Sequence, residues 1–327
     1  MSATPHPLTA AIRASTRSEL AVIGVVLFFY CLIAAVLVAS WVGHAAALQM
    51  QVAGLGLGAM YVVSVWHAAR VMGPRQATIF FVLAGVVTFF AEYMGSNYDW
   101  FFGAYDYTDA LGPRLGGVPL LVIVVWGVVL YAAYMLVDWL LDLGGVRRGT
   151  TWYGAVLWSA VVALATGTML AAFDLMVDPF AVSRVWEDVL GSSAWWWWSG
   201  GSYLPDLLQW QGAGGIPVQN FIGWVGVPFA FIFVFTLFFR RPDRVAGRLV
   251  NVVPLLVYGY LYWTFVGAIL EMDWYDPGIH QAALIGTFTM GPILAMGVVK
   301  LARDYWPPAA ATATATATPD PDAGTAS

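Results

Sequence analysis

The sequence predicts an all-α integral membrane protein, a polytopic bundle of about eight transmembrane helices with both termini cytoplasmic. Three observations predict it. Charged residues make up 10% of the chain and hydrophobic ones 60%, and the mean hydropathy is +0.74. A soluble domain carries about 25% charged residues. Eight stretches are apolar over the roughly 20 residues that cross a bilayer. The charges between those stretches alternate. Arg13 and Arg17, Arg70 and Arg75, Arg147 and Arg148, Arg240, Arg241, Arg244 and Arg248, and Lys300 and Arg303 fall in every second gap. The positive-inside bias makes that side cytoplasmic. Arg114 and Arg184 fall on the other side, with most of the acids that lie close to a span.

The elements follow in order. Residues 1–18 read as a loose cytoplasmic segment. The first span, 20–42, has no small-residue cleavage site followed by a polar mature region, so it reads as retained. Cys31, the single cysteine, lies inside it. That leaves no disulfide within the chain and no Cys-based metal or redox centre to expect. The second span, 48–69, contains Gly54-Leu55-Gly56-Leu57-Gly58. Within an apolar run, that pattern reads as helix packing. The third, 77–95, carries Glu92. The fourth and fifth, 117–141 and 152–176, flank a short basic loop. The fifth ends in Asp174 and Asp178, four apart and so on one face if the helix continues that far. Spans 219–239, 250–270 and 281–302 complete the set, with Glu271 just past the seventh. Residues 19–303 thus form one transmembrane domain. The tail, 304–327, has an Ala-Thr repeat and a Pro-Asp run, and reads as disordered and cytoplasmic.

Two outer loops, Gly95 to Gly117 and Asp178 to Gly215, are rich in Trp, Tyr, Phe and Gly. They carry a faint internal echo. One restarts at Gly116-Gly117-Val118-Pro119-Leu120 and the other at Gly214-Gly215-Ile216-Pro217-Val218. Pro suits the first turn of a helix, and Gly allows a tight entry. Spans three, five and seven all end in acids. The expectation is three helical hairpins that each deliver a carboxyl to the same outer end.

Carboxyls gathered at one end of a membrane bundle point to proton or ion chemistry. Intramembrane acids are costly and functional by default. Glu92, Asp174 and Glu271 are therefore the leading candidates, with Asp178 and Asp273 behind them. A carboxyl that keeps its proton near neutral pH can serve as a general acid. The loop acids Asp99, Asp106, Asp109, Glu187, Asp188 and Asp206 read as solvated. Trp100, Phe101, Phe102, Tyr105, Tyr107, Trp195 to Trp198, Trp224, Trp263 and Trp274 suit a slot for a long polyene, or a π-lined pocket for a carbocation. The bland alternative is an interfacial belt. Asn220, one turn before Trp224 inside a span, sharpens that position.

Absences narrow the chemistry. His6, His44, His67 and His280 are scattered, so no His box for a di-iron centre is expected. Lys300 sits at a cytoplasmic helix end, which does not suit a buried Schiff base. No strand–GxGxxG–helix unit offers a nucleotide site. Asp138/Asp142 and Asp174/Asp178 both read DxxxD, but they fall on opposite membrane faces and cannot share a magnesium cluster. No metal site is expected. The basic loops suit an anionic inner leaflet and not nucleic acid.

The outer loops resemble a known family. The residues are Glu92-x-x-Gly95, Phe102-Gly103-x-Tyr105-x-Tyr107, Leu111-Gly112-Pro113-x-Leu115-x-Gly117-Val118-Pro119-Leu120 and Trp126. Gly215-Ile216-Pro217-Val218-x-Asn220-Phe221-x-Gly223-Trp224 follows. The family comprises multi-spanning carotenoid biosynthesis proteins, including carotenoid 1,2-hydratases and the bisanhydrobacterioruberin hydratases of halophilic archaea. The resemblance implies a plasma-membrane hydratase that adds water to the terminal double bond of an acyclic carotenoid. Lycopene, γ-carotene and bisanhydrobacterioruberin are the substrate types. It implies no cofactor. It implies a carotenoid within the bilayer as partner, and other carotenoid-pathway membrane enzymes beside it. Glu92, Asp174, Glu271, Asp178 and Asp273 would be the acid/base pool. Trp100, Phe102, Tyr105, Tyr107, Asn220, Trp224 and Trp263 would bind the polyene. The alternatives are a lycopene-cyclase-like isomerase and a non-catalytic carotenoid-binding or proton-coupled protein.

Overall fold

A computed structural model describes residues 7–43, 46–141, 151–205, 215–239 and 248–306. Eight of its helices are long and apolar enough to cross a membrane. In chain order the helices are α1 (Pro7–Ala14), α2 (Arg17–Gly43), α3 (Ala46–Met72), α4 (Pro74–Tyr98), α5 (Leu120–Leu140), α6 (Trp152–Ala181), α7 (Val185–Asp188), α8 (Val218–Phe238), α9 (Val253–Met272) and α10 (His280–Tyr305). All but α1 and α7 are spans. Short strands β1 (Tyr105–Tyr107), β2 (Arg114–Leu115), β3 (Val118–Pro119) and β4 (Trp196–Trp198) lie in the two aromatic loops. Residues 307–327 of the expected tail, the loop with Asp142, Arg147 and Arg148, and Asp206 lie outside the described residues.

The bundle is tied at its basic end. Thr16 and Glu19 form a reciprocal cap at the start of α2: the Glu19 N–H donates to Thr16 Oγ1 at 3.3 Å, and the Thr16 N–H donates to Glu19 Oε2 at 2.8 Å. The same fully buried carboxylate takes Arg70 at 3.0 Å from the end of α3 and Arg248 at 3.3 Å from before α9. One acid thus joins three chain segments.

Helices α5, α6 and α9 form the buried centre. Lipid tails are as apolar as leucine, so close packing rather than hydrophobic transfer holds such helices together. Small residues make that packing possible. A Cβ on Gly167 of α6 would lie 2.5 Å from the Val225 carbonyl oxygen of α8. In the core, the Phe80 ring stacks on Tyr134 with centroids 5.8 Å apart and meets Phe235 edge-on at 5.0 Å.

Two spans run past their apolar stretches. Helix α4 continues to Tyr98, and Asp99 ends it in the left-handed conformation, φ 60°. Helix α6 continues to Ala181 through Pro179. A helical proline leaves the carbonyl four residues earlier without its donor. Here the Tyr203 hydroxyl donates to that Leu175 carbonyl at 2.7 Å. The outer loop thus completes the helix it follows.

The two Gly-Pro restarts share one backbone path. Gly117 and Gly215 have φ of +90° and +99°. Pro119 and Pro217 follow at φ/ψ of −66/133° and −70/141°. Each proline is the cap rather than a first-turn residue, because its extended ψ falls outside the helix. Strands β1 and β4 pair antiparallel, Tyr105 opposite Trp198 and Tyr107 opposite Trp196. This joins the two aromatic loops into a single cover.

Candidate active site

The site lies beneath that cover, at the acidic end of the bundle. Helix α4 brings Glu92 to a buried position. One turn later comes Gly95, where a Cβ would stand 2.8 Å from the Tyr105 hydroxyl and 2.9 Å from the Phe102 ring. The missing side chain lets the loop fold back over the carboxyl. Residues alternate in a strand, so Tyr105 and Tyr107 point the same way while Asp106 points out. The Tyr105 and Tyr107 hydroxyls donate to Glu92 Oε2 at 2.5 and 2.7 Å. The Trp126 indole N–H of α5 donates to Oε1 at 2.7 Å. Burial first, then the Glu92 charge beside them, push both phenols well above 10. They therefore remain donors across the physiological range.

Helix α6 supplies a second acidic group. Asp174 and Asp178, one turn apart, are both buried. The Asn220 Nδ2 of α8 donates to Asp174 Oδ2 at 2.7 Å and to Asp178 Oδ2 at 2.5 Å. The same amide thus bridges the two carboxyls. Both aspartates line the same cavity as Glu92. The Trp196 indole N–H faces Asp178 but falls outside hydrogen-bond geometry.

Aromatic rings line the rest. Trp126 and Trp224 stack at 4.0 Å with planes 10° apart. The Phe102 ring lies 6.2 Å from Trp126 and 6.5 Å from Trp224. The Trp198 N–H donates to the Phe102 carbonyl at 3.1 Å and fixes the loop above. Together these groups enclose a largely apolar cavity of about 290 Å³, whose wall also takes Tyr260 and Thr264 of α9. Such a chamber suits an apolar ligand with one reactive end.

The sequence model of the family described as "Carotenoid biosynthesis protein" matches residues 48–293, most of the chain. The chain belongs to the carotenoid biosynthesis proteins. No curated protein and no solved structure matches it.

In this carotenoid biosynthesis protein the cavity wall includes Glu92, Asp174, Asp178, Phe102, Tyr105, Tyr107, Asn220 and Trp224. Four other candidate residues lie elsewhere. Glu271 is buried but off that wall. The Ser40 hydroxyl and, with its amide turned to donate, Gln49 bond it between α2, α3 and α9. Ala268, one turn earlier on α9, does face the cavity. Glu271 lies one turn further along the same side of α9, and its carboxyl is taken up by α2 and α3. Asp273 lies in the turn after α9 and accepts from the Gly278 N–H at 2.9 Å, the His280 N–H at 3.2 Å and His280 Nδ1 at 2.9 Å. Partial burial pushes its carboxyl up, but those bonds outweigh it and hold the group below the ordinary range. It organises the entry to α10. Trp100 and Trp263 are 56% and 55% exposed and belong to the outer surface of the bundle.

Trp126 is the site residue that residue-type reasoning passed over. Its signal is in the chain: Trp126 and Trp224 each stand seven residues after a restart proline, Pro119 and Pro217. The echo that places the prolines alike also places the two indoles face to face.

Proposed function

We propose that this protein is a carotenoid hydratase, adding water across the terminal double bond of an acyclic end group such as that of lycopene. One observation carries the reading: a Trp-lined apolar cavity with two acidic groups held in different ways. Glu92 accepts from three donors, a match for an ionised carboxylate. Asp174 and Asp178 share one amide donor, and this reading assigns one proton to the pair. The pair gives its proton to the less substituted alkene carbon, and the π electrons form the new C–H bond. The positive charge falls on the tertiary carbon, beside the indole faces of Trp126 and Trp224 and near the Glu92 charge. Water adds through its oxygen and loses a proton to Glu92. That proton then returns to the aspartate pair. The sum is alkene plus water giving a tertiary alcohol, with the site restored.

The test is mass spectrometry of pigments from lycopene-producing cells, with and without this chain. A carotenoid heavier by one or two waters, with its chromophore unchanged, is expected. Glu92→Gln is expected to lower that product at least about 100-fold, with protein in the membrane unchanged. A new product of unchanged mass would replace hydration with a cyclisation.

A further inference from the structure

The cavity is closed above and behind. The β1–β4 pair and Leu111 roof it on the aqueous side. Its walls on α6, α8 and α9 are formed by buried or half-buried residues. Its exposed lining residues gather on one side. They are Gly54 of α3, Leu121 in the first turn of α5, which is 43% exposed, and Ala110 in the short turn Asp109–Leu111 of the outer loop. Met50, Ala53, Leu57, Val122 and Val125 continue that side and are half-buried. Every one of these residues is apolar. Deeper in the bundle the two helices close up, since a Cβ on Gly127 of α5 would stand 2.8 Å from the Tyr61 ring of α3.

We infer that this opening is a lateral portal through which the end group of a long linear polyene enters from the bilayer. The inference rests on the proposed reading for the identity of the ligand. An end group that entered from the water would have to pass the paired strands and their tryptophans. One that entered here crosses only apolar side chains. The rest of the polyene then stays in the lipid while its terminal double bond lies at the carboxyls. Gly54 is the threshold. A Cβ there has nothing within 4 Å, so the position has room to spare.

That room makes the portal testable. Gly54→Trp has no neighbour to displace, and a tryptophan is a better helix former than glycine. Gly24→Trp, on the exposed face of α2 with equally open space, is the control. Conversion of lycopene in cells is expected to fall at least about tenfold in Gly54→Trp and to hold within about twofold in Gly24→Trp. Unimpaired conversion in Gly54→Trp would overturn the portal. A second readout needs no turnover. A nitroxide is attached to Gly54→Cys in a Cys31→Ser background and reconstituted in bilayers. Lycopene is expected to shield it from collision with dissolved oxygen, while a nitroxide at Gly24→Cys is unaffected. Shielding at Gly54 with no hydrated product would retain the portal and remove the hydratase. No shielding at Gly54 would remove the portal even if hydration is found.

Discussion

At the scale of single residues, the site depends on who donates to Glu92. Its two oxygens are held by different elements: Oε1 by Trp126 of α5, and Oε2 by Tyr105 and Tyr107 of β1. Trp126→Phe keeps an aromatic face against Trp224 but removes the indole donor to Oε1. A hydrogen bond to a charged group is worth about 1.5–3 kcal/mol. Hydration is therefore expected to fall by about ten- to a hundredfold if the carboxylate acts in the rate-limiting step. Product formed per unit of membrane protein, measured by chromatography, checks this. Equal turnover in wild type and variant would mean that the indole only fills space.

At the scale of helices, the contact between α6 and α8 matters most, because it brings Asn220 to the two aspartates. Gly167 sets how closely the helices approach. Gly167→Ala drives a methyl into the Val225 carbonyl, a backbone atom that cannot turn aside. Overpacking of this kind costs about 1–3 kcal/mol. A lower midpoint of thermal unfolding in detergent is expected, with little change in Gly226→Ala, where the added carbon meets nothing. The helices were the most legible feature of the sequence, because a run of apolar residues is a local signal that a bilayer reads directly. Their ends were less so. Hydropathy stops where polar residues start, whereas α6 runs on to Ala181 because a tyrosine from a distant loop supplies the donor that Pro179 removed. Which acid reaches the cavity was not legible at all. Three hairpins do bring carboxyls to one end, but Glu271 turns toward Ser40 and Gln49 while Asp174 turns to the cavity. Packing sets which partners each acid meets. The Gly54–Gly58 stretch shows the same limit. Alternate helical residues point about 200° apart, so its glycines cannot share one packing face. Only Gly56 packs, against Tyr260, while Gly54 and Gly58 face open space.

At the scale of the whole molecule, the two ends differ in charge. Glu19, Arg70 and Arg248 lock the basic end, and the carboxyls of the cavity occupy the other. The charge bias sets the expected orientation. A cysteine at the exposed Asp109, in a Cys31→Ser background, should react with an impermeant maleimide added to intact cells. One at Arg75 should react only after the membrane is opened. The reverse pattern would invert the topology. The pairing of β1 with β4 has a consequence for how the chain is made. These strands lie on either side of α5 and α6, and Asn220 follows only at the start of α8. A nascent chain that has released its first four spans already holds Glu92 and Trp126, but neither the cover nor the amide that bridges the aspartates. The chamber is therefore completed late in synthesis, when the sixth and seventh spans dock, and a chain stopped before residue 220 leaves its aspartates without the amide that bridges them.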